Sequence, residues 1–283
     1  MQLIPRPANA RHLRWFLALP KLGIVLLLAA VIALLWMLHQ NELDEERAGL
    51  IKDVLWLEQN LRFQLNGNEE RLQQLAADLG SNNDHKRTFR LRAGHLLANN
   101  PEISHILWLD AKRAIIDSLP AGESPDSEIE TFGPAITQKT FELAQRLGKR
   151  IYSEPFLLSG NVAHFEIALP IYVDRNFVGE LIAIYPLQTL LNDHVPWWFA
   201  EKYRVVVVDD NETQFAAKSN IEGTPSLSYD LPFDPPGYGL KLRVTSYKSA
   251  VNPVQRLLAA AILILAAGVF WSLWIVPVTT PAA

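Results

Sequence analysis

The sequence predicts an α+β protein in which a long N-terminal helix leads into two mixed domains, flanked by two transmembrane helices. Three observations predict it. Two runs carry no charge, Leu22–Leu38 and Leu257–Val276. Between them, apolar residues recur every three or four positions from Leu43 to Leu79. From Ile103 to Tyr247 they alternate instead, in short runs broken by turn-forming residues. The first period is that of a helix face and the second that of a strand.

The charge-free runs are 17 and 20 residues long. A helix needs about 20 apolar residues to cross the hydrocarbon core, with a range down to roughly 17. Trp15, Phe16 and Leu43 extend the apolar surface of the shorter run into the interfaces. A cleaved signal peptide also begins with basic residues, as here with Arg6, Arg11, Arg14 and Lys21. This run, however, ends in Leu35-Trp36-Met37-Leu38-His39-Gln40, without a small-x-small cleavage pattern, and reads as an uncleaved anchor. Those four basic residues precede Leu22 with no acid among them, whereas Glu42, Asp44, Glu45 and Glu46 follow Leu38. Positive flanks stay in the cytoplasm. The N-terminus (1–21) and the tail (277–283) are therefore expected inside a bacterial inner membrane, and residues 39–256 in the periplasm. That outer segment holds all 30 acidic residues and 22 of the 26 basic ones, a formal net charge of −8. Such a surface argues against nucleic acid as a partner. There is no cysteine, which excludes a disulfide or a thiolate metal site.

The elements follow in order. Glu42 to about Leu79 is one long helix with Leu43, Leu50, Val54, Leu57, Leu61, Leu65, Leu72, Leu75 and Leu79 along a seam. Asn66-Gly67-Asn68 is a point of kinking or phase shift. The seam either pairs with a second copy or lies against the domain it introduces; near the membrane a homodimer is expected. A second helix, Asp84 to Asn99, has Asp84 as N-cap and stops before Pro101. Ile103–Leu109 is a strand, Asp110–Arg113 a turn and Ala114–Leu119 the return strand. Residues 121–131 are a loop. Ala135–Leu147 is a short helix with Ile136, Thr140, Leu143 and Leu147 on one face, stopped by Gly148. Strands follow at about 150–157, 162–173 and 177–187, turned at Ser159-Gly160-Asn161 and Asp174-Arg175-Asn176. This gives a first domain at 101–195 set on helices 39–100, an α+β sheet with its helices segregated. Residues 196–252 are a shorter echo: strands at Arg204–Asp209, Phe215–Ser219 and Gly239–Tyr247, a loop at 220–237, and no clear helix between the strands.

Thr140 to Leu191 resembles the extracytoplasmic Cache (PAS-like) sensor domains of bacterial histidine kinases. The matching features are the helix ending in Leu147-Gly148, the Tyr152-Ser153-Glu154-Pro155-Phe156 strand, and the Pro170–Tyr185 strand pair bearing Val178-Gly179-Glu180. In the hairpin at 107–118, Lys112-Arg113 stands where the family usually has a glycine. The overall plan is similar to double-Cache receptors such as the C4-dicarboxylate sensor kinases. The resemblance implies a small molecule bound in the first, membrane-distal domain, between the sheet and its covering helix and loops. It also implies a two-component sensor whose signal passes through the transmembrane helices.

Strand alternation narrows the site. Ala163, Phe165, Ile167 and Leu169 share one face, suited to packing on the long helix. His164 and Glu166 then face the ligand side. Tyr152 and Tyr185 on neighbouring strands and Trp108 on the first complete the candidate ligand-binding set, since pockets combine aromatic walls with a few polar groups. Each has a plainer role available, as solvated strand face or core ring. Lys149 and Arg150 either attract a carboxylate or complement the helix end.

The seven histidines show no metal-ligand spacing, and no nucleophile elbow or phosphate loop occurs. No cofactor, metal or catalytic residue is expected. Membrane lipid and a small molecule are the expected partners, alongside the second copy. The seven residues of 277–283 are too few for an output domain, so the sequence reads as part of a longer receptor, for which a chemoreceptor or a cyclic-dinucleotide enzyme is an alternative output to a kinase. The rival from another class is a membrane-anchored interaction protein whose outer domains bind another protein.

Overall fold

The computed structural model describes residues 10–81, 84–120, 134–158, 162–219 and 225–247, with isolated positions beyond 259. They fall into two units, 1–49 with 248–283, and Leu50–Tyr247. In the first, helix α1 (Ala10–Ser81) begins. Among the described residues no helix is long and apolar enough to cross a membrane. Many side chains of 22–38 and most of 257–276 lie outside the described residues, as do the loop at 121–131, the turn at 159–161 and the tail.

The second unit is built on α1 from Leu50 onward. Leu50, Val54, Leu57, Leu61, Leu65, Leu72, Leu75 and Leu79 are all buried, and they share one core with both sheets of the same chain. From Leu50 on, the seam is therefore intramolecular and does not serve a dimer. α1 runs unbroken through Asn66-Gly67-Asn68. Asn68 occupies the seam between Leu65 and Leu72, fully buried, and donates to Glu102 Oε1 at 2.5 Å. His194 Nε2 lies 3.3 Å from the same oxygen. A buried amide is tolerated where its partners are in place.

Helix α2 (His85–Asn99) buries Phe89, Ala93 and Leu96. Asp84 sits at its N-cap, but no side-chain bond caps the helix; its carbonyl accepts from Thr88 N at 3.1 Å. The first sheet comprises β1 (His105–Asp110), β2 (Ile115–Leu119), β3 (Ile151–Tyr152), β4 (Phe156–Leu158), β5 (Val162–Val173) and β6 (Asn176–Pro186), with α3 (Pro134–Leu147) between β2 and β3. Its order is β2-β1-β6-β5-β3, with β4 also on β5, and every pairing is antiparallel. α3 presents Thr140, Phe141 and Ala144 inward, while Leu147 is exposed, so its buried face is rotated from the predicted one.

Two short helices that the sequence reading missed, α4 (Leu187–His194) and α5 (Trp197–Lys202), lead to the second sheet. Its strands are β7 (Tyr203–Val208), β8 (Gln214–Lys218), β9 (Pro225–Pro232) and β10 (Lys241–Tyr247), in the order β8-β7-β10-β9. β9 replaces much of the predicted loop. Its Leu227, Tyr229 and Leu231 pack on the core while Ser226, Ser228 and Asp230 alternate with them. Asp53 on α1 accepts from Lys202 Nζ at 2.8 Å and from Tyr203 OH at 2.7 Å, fastening the second sheet to the same helix.

The predicted echo is visible in the turns. Asp110 Oδ1 accepts from the amides of Lys112 and Ala114, and Arg113 has φ 68°. Asp209 Oδ1 accepts from Asn211 and Thr213, and Glu212 has φ 65°. The two hairpins thus use one device, an aspartate closing a turn on amides two and four residues on. Arg113 holds a left-handed conformation that glycine adopts more readily.

Candidate functional site

The site rests on the alternation of β5. Ala163, Phe165, Ile167 and Leu169 join the core formed with α1. His164, Glu166 and Ala168 point the other way, where Ala168 packs with Leu107, Leu109, Phe141, Ala144, Phe156, Ile182 and Ile184. α3 supplies Phe141 and Ala144 to this second layer, so it covers that face of the sheet. Glu180 on β6 is paired with Leu109 and Pro170, which places it on the same face. The strands approach closely there: a methyl group on Gly179 would lie 2.1 Å from the carbonyl oxygen of Leu109.

Three ionisable side chains are thereby buried in apolar surroundings: His164 at 8 % exposure, Glu166 at 1 % and Glu180 at 0 %. The backbone of Glu166 is clamped by Ser153, in the gap between β3 and β4. Glu166 N donates to Ser153 Oγ, and Ser153 N donates to Glu166 O, each at 2.9 Å. His164 Nδ1 lies 2.9 Å from the carbonyl of Val162, and the ring stacks on Phe156 at 6.1 Å between centroids. Burial holds the His164 imidazole below its ordinary pKa, with His105 nearby adding to the effect. Glu180 is the most perturbed group of this face. Burial, with Glu166 as a further cause, pushes its carboxyl up to about 9. Neither of its oxygens has a hydrogen-bond partner. An isolated buried carboxylate is costly, so the group stays protonated until a cation or donor reaches it.

The other three candidates stand on the α1 face. Tyr185 stacks on Phe165 at 5.0 Å between centroids. Tyr152 donates its hydroxyl to Glu69 Oε2 at 3.0 Å. Trp108 packs at 5.9 Å from Phe89 of α2. The five predicted residues therefore do not converge: His164 and Glu166 are on one side of the sheet, and Tyr152, Tyr185 and Trp108 on the other. Glu180, which the sequence reading did not single out, lies on the same face as the first pair, four residues along β6 from Ile184, the partner of Glu166. Lys149 and Arg150 line an open cleft of about 670 Å³ with Gln73, Ala76, Leu169 and Tyr172. Arg150 is spoken for there, its Nε 2.5 Å from Glu69. Among the described residues no group of three or more His, Asp or Glu could hold a metal ion.

No family model matches the chain. Among solved structures it is similar to the ligand-binding domain of the amino-acid chemoreceptor PctC of Pseudomonas aeruginosa PAO1 in complex with GABA, at 14% identity and a TM-score of 0.47, covering 67% of this chain and 94% of that one. The ligand-binding domain of Mlp24 with asparagine has the same identity and TM-score, covering 76% of this chain and 94% of that one. Among curated proteins it is similar to the C4-dicarboxylate transport sensor protein DctS of Rhodobacter capsulatus, with 29% identity over 249 residues. The chain spans about a third (35%) of that relative's length. The resemblance first seen in Thr140–Leu191 thus extends to a sensor protein over 86% of this chain.

Proposed function

We propose that this chain is the extracytoplasmic sensing region of a membrane-bound two-component sensor histidine kinase. Residues 39–256 lie in the periplasm between spans at 22–38 and 257–276, with domains at 101–195 and 196–252. The described side chains of the first run support an anchor: Leu26, Ile32, Leu34, Trp36 and Met37 are all exposed apolar groups, as lipid-facing residues are. A small molecule binds on the α3 face of the six-stranded sheet, at His164, Glu166 and Glu180. The observation that carries this reading is the burial of those three ionisable groups on the sheet face to which α3 contributes Phe141 and Ala144. Polar groups sunk in an apolar layer lower stability and are typical of sites. Because Glu180 has no exposed surface, ligand entry and displacement of the layer above it are one event. A ligand that binds the displaced state more tightly shifts the population toward it.

The test is a thermal-shift screen of the whole chain in detergent against organic acids, amino acids and amines. A compound at about 100 times its dissociation constant stabilises the native state by roughly 2.7 kcal/mol. The expected shift is lost in His164→Ala and Glu166→Gln and kept in Tyr152→Phe. A shift that survives the first two and disappears in Lys149→Ala moves the site to the open cleft, and this reading is then wrong.

A further inference from the structure

The name of the curated relative directs attention to dicarboxylates, which carry two negative charges and are ordinarily received by guanidinium or ammonium groups. Among the described residues, the strands that form this face offer neither. None of the six strands of the sheet contains a lysine or arginine, and none occurs anywhere in 114–138, the stretch that leads from β2 into α3. On α3 itself, Lys139 is largely exposed and paired with Glu154 at 2.6 Å, and Arg146 is exposed. Among the described residues, the groups on this face able to carry positive charge are His105 and His164. Opposed to them stand Glu166 and Glu180, and Glu180 is fully buried with both oxygens unpartnered.

Resting on the sensing site proposed above, we infer that its ligand presents a protonated amine, seated against the carboxylate of Glu180. An ammonium supplies both the charge and the hydrogen-bond donors that the two oxygens lack. The apolar floor beside it, Leu109, Ala168, Ile182 and Ile184, suits a short carbon skeleton. Glu180 is protonated in the empty site, so receiving an ammonium ionises it. Binding is therefore coupled to release of one proton.

Isothermal titration calorimetry of the whole chain in detergent at pH 7 tests this. The probes are putrescine, agmatine, γ-aminobutyrate, succinate and malate, each titrated in phosphate and in Tris buffer. An amine is expected to bind with an apparent enthalpy that differs between buffers by close to one proton's ionisation. Glu180→Gln should abolish the buffer dependence and weaken binding at least tenfold, while circular dichroism shows the fold retained. Binding of succinate or malate but no amine overturns the inference and leaves the sensing reading standing. Amine binding with no proton release, or unchanged in Glu180→Gln, overturns it as well. If no probe binds, the inference fails, and the broader thermal-shift screen decides the sensing reading.

Discussion

Glu180 is fully buried with neither oxygen partnered, and its effect on stability has a definite sign. Its folded pKa is raised to about 9 from an ordinary 4.5. Between those values the folded chain holds a proton that the unfolded chain releases. Its contribution is therefore fully present below pH 4.5 and is lost as pH rises toward 9, at a rate on the order of 1.4 kcal/mol per pH unit. Glu166, His164 and His105 share this face. Glu180→Gln is expected to raise the melting temperature at pH 8, to change it little at pH 5, and to flatten the profile between, as thermal denaturation across that range will report. His164 and Glu166 were legible in the sequence because alternation alone puts them opposite Phe165 and Ile167. Tyr185 stands on the other face for a reason equally physical. The Asp174-Arg175 turn pairs Val173 with Asn176 and Tyr172 with Phe177, but a bulge at Ile171/Tyr172 shifts the register by one residue. Without that bulge Tyr185 would pair with His164 and share its face; with it, Tyr185 pairs with Phe165. A one-residue shift moves every side chain beyond it to the other face. Glu180 left a signal that could have been read, as a lone charge in phase with Ile182 and Ile184.

At the scale of the element, α1 organises the fold. Its seam was readable from spacing, but spacing does not say what covers a seam, and from Leu50 on the cover is the chain's own two sheets. Leu61 is fully buried in that contact. Leu61→Ala should cost about 2–5 kcal/mol by the loss of burial and the cavity left behind. Chemical denaturation will show it, and sedimentation should find the association state unchanged. A dimer along this part of α1 would have to use its outward side, where Leu55, Trp56 and Phe63 are exposed. The short helices α4 and α5 escaped notice because each spans only one or two turns after a proline. β9 escaped because its proline-bounded sequence reads as loop, although Leu227, Tyr229 and Leu231 keep the alternation of a strand.

At the scale of the molecule, Leu50–Tyr247 comprises two antiparallel sheets that share one helix and one core. The repeated aspartate turn, at Asp110 and again at Asp209, supports a common plan for the two halves. They differ in what each sheet carries on the face away from α1. The first has α3 over buried His164, Glu166 and Glu180. The second has an open surface with Arg243 bound to Asp230 and Glu212. That contrast supports the proposal that ligand sensing belongs to the first half. Hydrogen–deuterium exchange of the whole chain, with and without the amine that binds most tightly in calorimetry, tests this most directly. Ligand should change exchange in α3, β5 and β6, speeding it in α3 as that layer is displaced, and leave β7–β10 unaltered. Protection confined to the second sheet, or to the cleft beside Lys149, would contradict the account.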